Sequence, residues 1–153
     1  MDAQSTATGT AVPETDSATA VELRFSPQPE HVRTARLVAV ALARRVGVEA
    51  GLLDEVRLAV GEACSRAVGL HQRHAPGEPV LVVLDGADPD RFVVTVADKV
   101  DGTLPGPREG EGEEDLDDAE MGLAVLTGLV DDLDIASGPH GGTVRMGWPV
   151  KDF

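Results

Sequence analysis

Glu62 and Arg66, four residues apart in the stretch LLDEVRLAVGEACSRAVGL (52–70), are the side chains best placed to do chemistry. On a helix they lie one above the other, where side chains can reach a cleft while the backbone stays rigid. The same spacing also fits an ordinary i,i+4 ion pair, worth only a few tenths of a kcal/mol (~0.3). Asp98 is delivered by the end of a β-branched run, where a carboxylate can meet a ligand. His71 and His74 fall in a stretch rich in Gly and Pro, with no cysteine or paired ligand spacing nearby, and read as solvated loop histidines rather than metal ligands. Cys64 is the one cysteine, so no internal disulfide can form. In its Ala-rich surroundings it reads as a small core residue rather than a nucleophile.

The elements that must position these groups follow from periodicity. Leu52, Val56, Ala59, Val60, Ala63, Ala67 and Leu70 recur at the spacing of one helical face, which leaves Glu62 and Arg66 at the edge of the buried stripe. A second helix is predicted over Glu30 to Val46, with Gly47 as its stop. Val21 to Phe25 alternates as a strand does. Gly69 to Pro79 reads as a loop. Val80 to Leu84 and Phe92 to Val96 read as a hairpin, and so do Leu133 to Ala136 and Thr143 to Trp148, with a helix from about Ala119 to Val130 before the latter. Grouped helices and hairpins predict an α+β fold, a two-layer sandwich of a mixed, largely antiparallel sheet with helices on one face.

At 153 residues the chain suits one domain, placed over residues 21–150. Residues 1–20 lack apolar periodicity and are expected to form a disordered tail. A net charge of −14 and a pI near 4.5 oppose binding to a nucleic-acid phosphate backbone and favour a partner with a basic surface. No stretch predicts a membrane span or a signal segment, and the expected location is the cytoplasm. The segment from Asp101 to Glu120 holds nine acids and one base, a net charge of −8, more than half of the chain's excess. Gly, Pro and like charges predict an extended, flexible loop over residues 101–118 that could act as a lid or a contact surface.

Nearly the whole chain beyond the tail resembles the anti-sigma-factor serine kinases of the GHKL ATPase superfamily, the group that includes histidine-kinase catalytic domains. Glu62-Ala63-Cys64 is similar to the family's N-box, in which the resemblance makes Glu62 the catalytic base and expects a magnesium-holding Asn four residues on. Asp98-Lys99-Val100-Asp101-Gly102 is similar to the D-x-G-x-G box that reads adenine, which implies nucleotide contacts at Asp98 and Gly102. Gly122-Leu123-Ala124-Val125-Leu126 and Gly142-Thr143-Val144 resemble the later glycine box and the last G-T-x-V strand, adding Gly122 and Thr143 to the nucleotide set. The resemblance implies ATP and magnesium as cofactors, and a sigma factor and an anti-sigma-factor antagonist as partners. Homodimers occur in the family, and the residues of this chain neither support nor oppose one.

Three positions depart from the pattern. Arg66 stands where the Asn would hold magnesium, a fixed cation in place of an oxygen ligand, so no metal site is expected there. Val100 replaces the first glycine of the adenine box, where a positive φ would be strained. Glu120 replaces a glycine two residues before Gly122, and Asp117 with Glu120 fits a carboxylate cap that would occupy a phosphate-binding helix start. One reading is a regulator that acts by protein contact, with ATP binding lost or weakened. The alternative is an active serine kinase, phosphorylating an anti-sigma-factor antagonist, in which Arg66 meets phosphate oxygens directly and magnesium is held by nucleotide and water. A scaffold domain with no sigma partner would share the same core pattern.

Overall fold

The computed structural model describes residues 20–103 and 113–151, with the backbone alone over 113–120. The expected tail and the middle of the acidic segment lie outside the described residues. The chain runs β1 (Ala20–Phe25), α1 (Pro29–Val46), a single 3-10 turn (Ala50–Leu52), α2 (Leu53–His74), β2 (Val80–Asp85), β3 (Arg91–Asp98), α3 (Glu113–Leu129), β4 (Asp132–Gly138) and β5 (Gly141–Pro149). The strands form one sheet in the order β1-β2-β3-β5-β4. The expected α+β sandwich is present, but the sheet is not mixed, because each neighbouring pair is antiparallel. The β3 to β4 crossover through α3 skips one position, and β5 returns to fill it between them.

Pleat alternation sorts the strand residues. In register across the sheet, Leu23, Val82, Val96 and Val144 form one row, and Val21, Leu84, Val94 and Met146 the next. These rows face the helices, and Val82, Leu84, Val94 and Met146 are wholly buried. The helices answer with small and branched residues: Ala35, Ala39 and Ala43 from α1, and Val56, Ala59, Val60 and Cys64 from α2. Small side chains let α1 and α2 lie close together over the sheet. Burial pushes the Cys64 thiol up to about 12, with Arg36 pulling the other way, so it behaves as an inert core residue. Pro29 opens α1 at a position where its missing N–H is no loss. Gly47, at φ 106°, closes it and donates to the Ala43 and Arg44 carbonyls.

Two expectations give way here. Gly69, His71 and His74 belong to α2 rather than to a loop. His71 is fully buried, accepting at Nε2 from the Lys99 amide (2.9 Å) and donating from Nδ1 to the Glu78 carbonyl (2.8 Å). Both ring nitrogens are thereby used, with the proton assigned to Nδ1. Tertiary anchoring outweighs the weak helix propensity of Gly69 and adds a last turn. The second concerns α3, which begins at Glu113 rather than near Ala119, so residues 113–118 are helical rather than part of a loop. Asp117 is therefore inside the helix, and the expected cap at Asp117 and Glu120 does not form there. At the far edge, Trp148 stacks obliquely on Phe92 and donates its indole N–H to Glu55 (2.7 Å), tying β5 to α2.

Candidate functional site

The first and second functional side chains rise from consecutive turns of α2 on the face that meets α3. Gly122 of α3 is what lets the two helices approach. A Cβ at that position would come within 3.2 Å of Glu62 Oε2 and 3.9 Å of Arg66 Cβ. The glycine thus leaves the Glu62 carboxylate and the stem of Arg66 at the helix interface. On another side of α2, Gly61 leaves space for Arg36, whose Cδ would lie 2.7 Å from a Cβ there. Nothing in the sequence patterns singled out this contact; the glycine inside an otherwise strong helix was its one signal.

Glu62 and Arg66 do not form the i,i+4 ion pair that their spacing allows: the described residues show no salt bridge between them. Arg66 is instead electrostatically coupled to Asp98. Burial lowers the guanidinium from its ordinary value, and Asp98 draws it back up. An arginine remains charged under such pressure, so a partly desolvated cation stands beside the carboxylate. Its Nε is shut off from solvent and has no hydrogen-bond partner among the described residues.

β3 brings Asp98 to this cluster. Its Oδ1 accepts the amides of Val100 (2.9 Å) and Gly142 (3.2 Å), the latter directly across the sheet in β5. These two bonds fix the carboxylate and leave Oδ2 as its unspent acceptor. The adjoining Lys99 amide is held by His71, so α2 anchors this loop by a hydrogen bond, and the Arg66 charge is felt at Asp98 beside it. Val100 is buried, and no residue other than glycine takes a positive φ among the described residues, so the strain expected at Val100 is absent. The valine is accommodated by turning its side chain inward.

The glycines nearby serve the backbone rather than a ligand. Gly141, at φ 133°, is crossed so closely by the Asp98 carbonyl that a Cβ would overlap it. Gly102 donates to the Gly138 carbonyl (3.0 Å), and a Cβ on it would lie 2.7 Å from that of Ser137. It therefore packs against the β4–β5 hairpin. Thr143 stands apart from the cluster. It pairs with Ala97 and Ala136 and is exposed, and pleat alternation sends it to the sheet face opposite Gly142 and Val144. Asp101 opens the acidic segment with its carboxylate accepting the Thr103 hydroxyl (2.5 Å) and amide (2.8 Å), bonds that lower it from its ordinary value.

Glu62, Arg66, Asp98 and Gly122 therefore come together, while Gly102 lies at the border and Thr143 outside. The group offers a carboxylate that can accept a proton, a cation with an unmet N–H, and an acceptor oxygen on a fixed carboxylate. A separate concavity of about 520 Å³ lies at the opposite end of the sheet, lined by Leu52, Glu55, Arg91, Asp132 and Trp148 among others. Arg91 is spent on Asp132 there and Glu55 on Trp148, pairs that hold the fold, and Asp131 is exposed beside them.

This fold is that of the histidine kinase-like ATPase domain, whose family model matches residues 25–148; the chain belongs to that family. Within it, the chain is similar to serine-protein kinase RsbW. It is 28% identical to the protein of that name from Bacillus velezensis over 134 residues, covering 82% of each chain. To that of Bacillus subtilis it is 28% identical over 136 residues, again 82% of each. Among solved structures it resembles the crystal structure of the RsbU and RsbW domains of a Mycobacterium tuberculosis protein, with TM-score 0.60 and 18% identity, over 86% of this chain. The chain spans 33% of that longer one, and the likeness at this identity concerns the fold. No helix among the described residues is long and apolar enough to cross a membrane.

Proposed function

We propose that this protein is an anti-sigma-type regulator that works by binding other proteins, its metal-dependent phosphoryl transfer lost and its affinity for ATP weakened. The observation that supports this is Arg66. In the family pattern its position belongs to the residue that holds magnesium. Magnesium demands oxygen ligands in near-octahedral array, and a guanidinium offers five donors and no lone pair. A cation held beside Asp98 also repels the ion. The magnesium ion thus does not fit these residues, and no step is assigned to it.

A nucleotide fits better than its metal. Asp98 retains one acceptor oxygen for a base, and the Arg66 guanidinium carries a charge that suits phosphate oxygens. This supports the second reading, an active serine kinase with Glu62 as base, but in that reading magnesium has to be held by nucleotide and water, with Glu62 and Asp98 adding negative charge beside the phosphates. The partners carried by the family resemblance are a sigma factor and an anti-sigma-factor antagonist. The charge of −14 suits a partner with a basic surface, and the acidic run from Asp101 to Glu120 suits steering of its approach.

The test is a panel of sigma factors from the same genome, each measured for binding to the purified protein by surface plasmon resonance. One of them is expected to bind in EDTA without nucleotide, with an association rate that falls as salt rises. A complex that forms only with magnesium and ATP, or radiolabelled phosphate appearing on an antagonist, would establish the kinase reading instead.

A further inference from the structure

Five large apolar side chains stand exposed among the described residues, Leu37, Leu58, Met121, Val125 and Ile135, and three of them border one groove. α2 begins and α3 ends at the Trp148 end of the sheet: Glu55 holds the Trp148 indole, and β4 starts just past α3 with Asp132 paired to Gly147. The two helices are therefore antiparallel. Their register is set where Gly122 meets Glu62. From that point Leu58 lies one turn toward the Trp148 end on α2, about 6 Å along the axis, and Val125 lies three residues the same way on α3, about 4.5 Å. They stand at nearly the same height across the groove, 58% and 44% exposed, and Met121, one turn back from Val125, is 63% exposed. Apolar residues scattered singly over a surface are ordinary, whereas a group rimmed by charge marks a contact site.

Acids supply that rim. Asp54, one turn before Leu58, is exposed and makes only a loose 3.8 Å pair with Arg57, and Glu62 follows Leu58 by one turn. Where α2 begins and α3 ends, the groove opens on the concavity of about 520 Å³ lined by Leu52, Glu55, Asp131 and Trp148 among others. Three carboxylates and one guanidinium line it, a net charge of −2, and Arg91 is already spent on Asp132. An acidic partner is repelled there, and a purely apolar one would desolvate the carboxylates without pairing them. An amphipathic helix meets both demands, its apolar face over Leu58, Met121 and Val125 and its basic side chains on the acids. We propose, resting on the reading that this protein works by binding others, that the outer α2–α3 groove docks a basic amphipathic helix of a partner protein, with a Lys or Arg side chain entering the concavity beside Asp131. Arg66 and Asp98 play no part in this contact.

Fluorescence anisotropy with the full chain tests this, using a labelled Leu–Lys peptide of about 18 residues whose leucines follow i, i+3, i+4, i+7 spacing. A scrambled peptide of the same composition and a Leu–Glu version of the first serve as comparisons. The Leu–Lys helix is expected to bind about tenfold or more tightly than either. Leu58→Ser combined with Val125→Ser should weaken it about tenfold or more, since both side chains lose their burial under the peptide. Asp131→Asn should cost about two- to threefold and flatten the dependence on salt. Leu37→Ser, on α1, should change nothing. Leu58→Ser alone carries the test if the double variant does not fold by circular dichroism. Equal binding of the scrambled or Leu–Glu peptide, unchanged binding in the Leu58 variants, or no binding at about 200 μM peptide overturns the docking site. Any of these leaves the proposed regulator intact, whereas a sigma-factor panel with no binder would sink the regulator and leave a positive peptide result standing.

Discussion

His71→Ala is expected to lower the unfolding free energy by about 3–5 kcal/mol, enough to leave little of a typical domain's margin. The imidazole is fully buried and bonds on both sides, to the Glu78 carbonyl and the Lys99 amide. Truncation leaves those two backbone groups without partners, roughly 1–3 kcal/mol each when desolvated, and opens a cavity in addition. The damage also spreads toward the site, because Lys99 is the neighbour of Asp98 and its amide is one of the anchors of that loop. Urea denaturation monitored by circular dichroism reads the effect. A loss below about 1 kcal/mol would mean that water replaces both bonds and that the ring is not the fastener described.

Arg66→Asn should make nucleotide binding respond to magnesium. In the parent, chelating the metal is expected to leave affinity nearly unchanged. In the variant an amide oxygen replaces a fixed cation, so the ion can enter beside Glu62, and ATP should bind about tenfold or more tightly with magnesium than with EDTA. The single substitution is cleaner than also restoring glycine at the other two departures. Val100 is buried without backbone strain, so Val100→Gly would open a cavity. Residue 120 is within α3, where glycine costs about 1 kcal/mol. A variant whose affinity is the same in both buffers would show that Arg66 is not what excludes the metal.

Much of this architecture was legible in periodicity. Gly47 marks the end of α1, and the alternation of Val80 to Leu84 and Phe92 to Val96 gives a hairpin whose register pairs Val82 with Val96. The placement of Glu62 and Arg66 on successive turns of α2 followed from helix spacing, and that of Asp98 at the end of β3 from the β-branched run before it. What local patterns could not carry was tertiary. Gly69 and the histidines have the composition of a loop, yet the two bonds of His71 draw another turn into α2. The acids from Glu113 onward read as a loop because like charges repel, although the positive end of a helix dipole favours carboxylates in its first turns. Thr143 was assigned with Gly142 by motif, whereas a period of two places adjacent residues on opposite faces. The vacant acceptor position at Arg66 Nε is visible only once the helices are packed.

On the function proposed above, the Arg66 cation has replaced a metal ligand and ended metal-dependent chemistry. The most direct test is calorimetry of the parent protein with ATP, with and without magnesium. A dissociation constant weaker than about 100 μM that chelation barely changes is expected. A low-micromolar constant that requires magnesium would contradict it.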